Sequence, residues 1–163
     1  MNKKAKILVV DDEDNIRESL KEILTDEGYD IFLAQDAKIA RKIKDNEKLD
    51  LILLDIWMPD CDGISLLKEW EKNKQLTCPV IMMSGHGTID TAIEATKIGA
   101  FDFLEKPISL QKLLKTISDS LKKVVNKKNV EESYNVLKKI FIFFEREYLD
   151  QRPLCVIKCE PFL

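Results

Sequence analysis

Five times along the first 125 residues, a short apolar run gives way to a stretch whose apolar residues recur at helical spacing. Ile7–Val10 precedes Ile16, Leu20, Ile23 and Leu24, a pattern ended by Gly28. Ile31–Ala34 precedes a helix capped by Asp36 and carrying Ile39, Ala40 and Ile43. Leu51–Leu54 is apolar on both faces, as a central parallel strand requires, and a third helix starts near Ile64 and carries Leu67 and Trp70. Pro79–Met83 precedes Ile89, Ala92, Ile93 and Thr96, closed by Gly99. Phe101–Leu104 precedes a helix capped by Ser109, with Leu110, Leu113, Leu114, Ile117, Leu121 and Val124 on one stripe.

Strands alternating with helices in this way imply a parallel sheet covered on both faces. Right-handed crossovers leave few topologies, and the expected one is a doubly wound five-stranded α/β sheet in the flavodoxin-like order. The pattern changes at Asn126–Asn129, so the expected division is residues 1–125 as one domain and 126–163 as a tail. In the tail Val130, Tyr134, Leu137, Phe141, Phe144 and Tyr148 recur at spacings of three and four, like a coiled-coil seam, and Pro153 stops the run. Such a seam is too apolar to stay bare, and pairing of two chains through this helix is expected slightly ahead of folding back.

A formal net charge of −3 gives no bulk sign of a nucleic-acid binder, and the tail offers no recognition helix with basic and amide side chains aimed outward. No apolar run approaches the roughly 18 residues of a membrane span, and because Met1-Asn2-Lys3-Lys4 reads straight into the first strand, no secretory leader is expected. Cys61, Cys78, Cys155 and Cys159 with the lone His86 lack zinc-ligand spacing, and reduced thiols in a cytoplasmic protein are expected.

In a parallel sheet the carboxyl ends of the strands share one rim, where ligands bind. The first run ends in Asp11-Asp12, the third in Asp55 and the fourth in Ser84, while Lys106-Pro107 follows the fifth. Crowded carboxylates repel, and a hard divalent cation resolves the conflict by taking their oxygens as ligands. Mg²⁺ favours one or two carboxylates and bridges readily to phosphate. A carboxylate can then serve as nucleophile toward a phosphoryl group, with a metal, an ammonium and a hydroxyl neutralising the incoming charge.

Asp11-Asp12, Asp55, Ser84 and Lys106-Pro107, in this order on these elements, resemble the receiver domain of two-component response regulators, with a CheY-like fold, over about residues 5–125. The stretches Asp55-Ile56-Trp57-Met58-Pro59-Asp60-Cys61-Asp62-Gly63, Ser84-Gly85-His86-Gly87-Thr88 and Gly99–Pro107 resemble the nitrogen-regulator (NtrC/NtrX-type) branch, with NtrX nearest. The resemblance implies Asp55 as phosphoacceptor, and Asp11, Asp12, Asp55 and the Trp57 carbonyl as Mg²⁺ ligands. It implies Ser84 as switch hydroxyl, Lys106 as phosphoryl contact and Phe103 as switch aromatic. Trp57 and His86 are expected to overhang the pocket and tune phosphoryl lifetime; Pro59 and Gly63 shape the turn after Asp55.

The implied partner is an NtrY-like sensor histidine kinase, and the chain is a phosphorylation switch rather than an enzyme acting on substrates. Members of that branch continue into an ATPase and a DNA-binding module. No G-x-x-x-x-G-K-[ST] loop occurs, all five glycines precede residue 100, and the chain is expected to be a truncated relative. Two other readings compete. A phosphate-accepting titration protein shares the whole site. A haloacid-dehalogenase-like phosphohydrolase wants a second Asp two positions after the nucleophile, where this chain has Trp57, which cannot transfer a proton.

Overall fold

The computed structural model describes residues 4–59, 61–85 and 89–123. They form β1 (Lys6–Val10), α1 (Asp14–Asp26), β2 (Asp30–Ala34), α2 (Ala37–Asn46), β3 (Leu51–Asp55), α3 (Gly63–Lys72), β4 (Val80–Ser84), α4 (Ile89–Ile98) and β5 (Asp102–Glu105). Residues 110–123 are helical and are called α5. The strands pair in parallel in the order β2-β1-β3-β4-β5, the expected doubly wound arrangement. The tail seam from Val130 to Tyr148, and with it the expected pairing of chains, lies outside the described residues.

Period-two alternation sends successive strand side chains to opposite faces. Leu8, Val10, Ile52, Leu54, Val80 and Met82 face α2, α3 and α4, where they meet Ala37, Ala40, Ile64, Leu66, Leu67, Trp70 and Ala95. Ile7, Val9, Leu51, Leu53, Ile81, Met83 and Leu104 face α1 and α5, meeting Leu20, Leu24, Leu113 and Ile117. Burying each large side chain is worth roughly 1.5–3 kcal/mol, so these two layers hold the sheet between its helices. Trp70 is the largest of the fully buried side chains, with the Lys44 ammonium 5.3 Å from the centre of its ring.

The expected caps are present. Asp36 accepts from the Ile39 N–H at 2.7 Å, and the Ser109 hydroxyl accepts from the Lys112 N–H at 3.3 Å. Gly28 and Gly99 carry positive φ where α1 and α4 end, a backbone region glycine enters without steric cost. The starts of β4 and β5 fall one residue later than expected. The β4 pairing starts at Val80, because Pro79 has no N–H to give and takes part through its carbonyl, which accepts from Ile52. Phe101 leads into β5, donating to the Val80 carbonyl just ahead of the paired strand.

Candidate functional site

The alternation that builds the core also assembles the site. Asp11 and Asp55 continue the α1/α5-facing stripes of β1 and β3, and Lys106 continues that of β5 two residues past Leu104. All three therefore converge at the carboxyl rim on one side of the sheet. The Lys106 ammonium lies 2.7 Å from Asp11 Oδ2 and 2.9 Å from Asp55 Oδ1, with Glu13 farther off at 3.6 Å. Asp11 is 0% exposed and Asp55 2%. A single cation thus bridges two buried carboxylates from neighbouring strands.

Every polar group of Asp11 is held. Its N–H donates to the Ala34 carbonyl, Oδ1 accepts from the Glu13 N–H at 2.9 Å, Oδ2 accepts from Lys106, and its carbonyl accepts from the Arg17 guanidinium. Burial pushes the Asp55 carboxyl above the usual carboxylate range, and the charge of Asp11 adds to the rise. Hydrogen bonds from Lys106 and from the Trp57 backbone N–H oppose that rise without cancelling it. Burial favours the neutral amine of Lys106, but its bonds to Asp11 and Asp55 outweigh burial and hold it above the ordinary lysine value.

The turn after β3 is set by close packing. The Gly63 N–H donates to the Ile56 carbonyl at 2.8 Å, and a Cβ at Gly63 would overlap the Asp55 carbonyl oxygen and stand 3.0 Å from its carbon. Gly63 is the first residue of α3, and Asp62 caps it by accepting from the Ser65 N–H at 2.8 Å. The Asp55 backbone is therefore clamped by a helix start that admits no side chain.

Ser84 is buried as the last residue of β4, and its carbonyl accepts from the Lys106 N–H at 2.7 Å. Asp12 is exposed at the rim beside Asp11. Trp57 is 59% exposed. Phe103 is half-buried against the α2–α4 side of the core, away from the Asp11–Asp55–Lys106 side. His86 lies outside the described residues. Arg17 escaped sequence reasoning: a single arginine in the first turn of a helix reads as a solvated cation, yet it is 7% exposed and bonded to the Asp11 carbonyl.

Among the described residues no three acidic, histidine or cysteine side chains already stand together as a metal cage. The donor chemistry nevertheless suits a hard divalent cation. Asp11, Asp12 and Asp55 supply oxygen only, and the single positive charge of Lys106 lies against two of them, Asp11 and Asp55.

The family model for the response regulator receiver domain matches residues 7–118. A response regulator of Rickettsia bellii designated NtrX-like is 42% identical over 110 residues, covering 66% of this chain and 23% of that protein. The nitrogen assimilation regulatory protein NtrX of Azorhizobium caulinodans is 40% identical over 128 residues, covering 77% and 28%. This chain thus spans about a quarter of the length of these curated relatives. Among solved structures, NtrX from Brucella abortus superposes with a TM-score of 0.74 at 39% identity, covering 80% of this chain and 29% of that one. A CheY-like receiver domain protein from Methanospirillum hungatei gives 0.72 at 30%, covering 77% and 99%.

Proposed function

Because this chain belongs to the response regulator receiver family of two-component signalling, we propose that it takes a phosphoryl group from an NtrY-like sensor histidine kinase onto Asp55, with Mg²⁺ bound by Asp11, Asp12, Asp55 and the Trp57 carbonyl. The observation that carries this is the Lys106 ammonium shared between buried Asp11 and Asp55. A carboxylate held this way has a counter-charge in place before the phosphoryl group arrives.

An Asp55 oxygen attacks phosphorus, the P–N bond to the donor imidazole breaks, and an aspartyl phosphate forms. Mg²⁺, when bound, supplies Lewis-acid neutralisation of phosphoryl charge. Lys106 stays protonated at neutral pH and follows the new oxygens, and the Ser84 hydroxyl is a donor of the right type on the neighbouring strand. Since Ser84 ends a stripe on the face that carries Phe103, a pull on its hydroxyl reaches the α4–β5 side, which is where the conformational switch is proposed. Trp57, exposed beside the nucleophile, obstructs an in-line water and lengthens the lifetime of the acyl phosphate.

Incubation with acetyl phosphate and Mg²⁺, read by intact mass, tests the assignment. One added phosphate is expected, absent in Asp55→Asn and with chelator. Labelling that survives Asp55→Asn removes Asp55 as acceptor. A titration protein would pass this test too, and would differ only in having no downstream partner.

A further inference from the structure

Arg17 is an unusual residue for its place. It sits in the first turns of α1, where the helix dipole and the unpaired backbone N–H groups disfavour a cation. It is 7% exposed, and burying a guanidinium is costly unless its donors are used. Side chains on a helix lean toward its N-terminus, so Arg17 reaches back over the turn it follows. One arm of its fork donates to the Asp11 carbonyl and the other to the Asp14 carboxylate. It donates to no carboxylate oxygen of Asp11, whose two oxygens are taken by Glu13 N–H and Lys106. Helix stability does not account for a buried cation at this end of a helix.

We propose that Arg17 is a positioning residue that sets the affinity of the acidic rim for its divalent cation. By spanning the Asp11 carbonyl and Asp14 it fixes the backbone from Asp11 to Asp14, and so the places from which the Asp11 and Asp12 carboxylates project. A lysine cannot do this. It keeps the charge but lacks the planar fork that engages two acceptors at once. The charge itself works the other way, since a cation near the rim repels Mg²⁺, so geometry and charge make opposite predictions for a neutral substitution. The positioning effect is the larger, because Asp14 already offsets the guanidinium charge. This inference rests on the receiver chemistry proposed above.

The test is the Mg²⁺ concentration giving half-maximal binding, read by titration calorimetry at constant ionic strength. A second reading is the half-maximal Mg²⁺ for labelling by acetyl phosphate. Arg17→Lys and Arg17→Met are both expected to raise the midpoint about fivefold, with labelling at saturating Mg²⁺ within about twofold of the wild type. Asp14→Asn, which weakens only the outer arm of the fork, shifts it less than either. An unchanged midpoint in folded Arg17→Lys, or a lowered one in Arg17→Met, overturns the proposal. Should Arg17→Met fail to fold by circular dichroism, Arg17→Lys decides alone. A wild type that takes up no phosphate at any Mg²⁺ concentration overturns the receiver chemistry itself, and this inference with it. A wild type that labels normally, beside variants with identical Mg²⁺ curves, overturns only the inference.

Discussion

The two faces of the sheet are built by the same alternation and end differently. On the α1/α5 face the stripes of β1, β3 and β5 run out into Asp11, Asp55 and Lys106, a buried charge cluster. On the α2–α4 face they run out into exposed Asp12, buried Ile56, buried Ser84 and exposed Glu105, and the face holds Trp70 and the broader apolar layer. One layer of side chains per strand thus separates the buried charge cluster from the broader apolar layer. A receiver gains from this, because charge placed at the rim of one face need not disturb packing across the other.

The largest expected effect tests the apolar face. Trp70→Ala removes the largest fully buried side chain and should cost ~3–5 kcal/mol by denaturant unfolding. Trp70 lies seven residues along α3 from Gly63, about 10 Å at helical rise, so the clamp on the Asp55 backbone should survive. Phosphate uptake below the melting range should then stay within about twofold of wild type, as for distant sites. A variant that remains folded yet loses uptake would mean that the faces are coupled through α3.

The next effect tests the charged face. Lys106→Met leaves Asp11 and Asp55 buried with no cation between them. Breaking a fully buried pair costs roughly 3–5 kcal/mol, but this one sits at the rim and Asp55 can take up a proton, so about 2 kcal/mol is expected. The variant should still bind Mg²⁺, because the proposed ligands are intact. A ligand that binds only the folded state stabilises it, so adding about 10 mM Mg²⁺ should recover much of the loss. If Mg²⁺ recovers nothing, the lysine builds the metal site rather than answering the phosphoryl group.

How much of this was legible in advance differs by face as well. β1, β3 and β4 were readable because each is a continuous apolar run, buried on both sides. Asp11, Asp55 and Lys106 were readable because each ends or follows such a run. The close approach of Gly63 to the Asp55 carbonyl was not, since a glycine in a turn says nothing of what lies against it. Asp62 as the cap of α3 was missed because Pro59 and Gly63 made the whole stretch read as turn. The reversal after α3 uses Lys74 at positive φ, and no glycine announces it. Arg17 was illegible for a different reason. Its burial depends on the path of the β1–α1 turn, which spacing does not reveal.

The smallest effect concerns the sign of the charge cost at Asp55 itself. Its carboxyl is held above the usual carboxylate value, so the folded state binds its proton more tightly than the unfolded chain does. Such a group favours folding below its unfolded value of about 3.9 and loses that advantage as pH rises through the folded value. At neutral pH the ionised Asp55 is therefore a net electrostatic burden, despite the Lys106 contact, because burial outweighs the pair. Asp55→Asn keeps the shape and removes the charge, so it should melt higher than wild type at neutral pH. Other carboxylates shape the absolute pH profile of both proteins alike, so the readout is the difference between them. That difference should widen as pH rises above about 4, the unfolded value, and level off only once pH has passed the raised folded value. A difference that narrows over this range, or an Asp55→Asn variant less stable than wild type at neutral pH, would show that the Lys106 bridge more than offsets burial. The charged face would then stabilise the fold as the apolar face does.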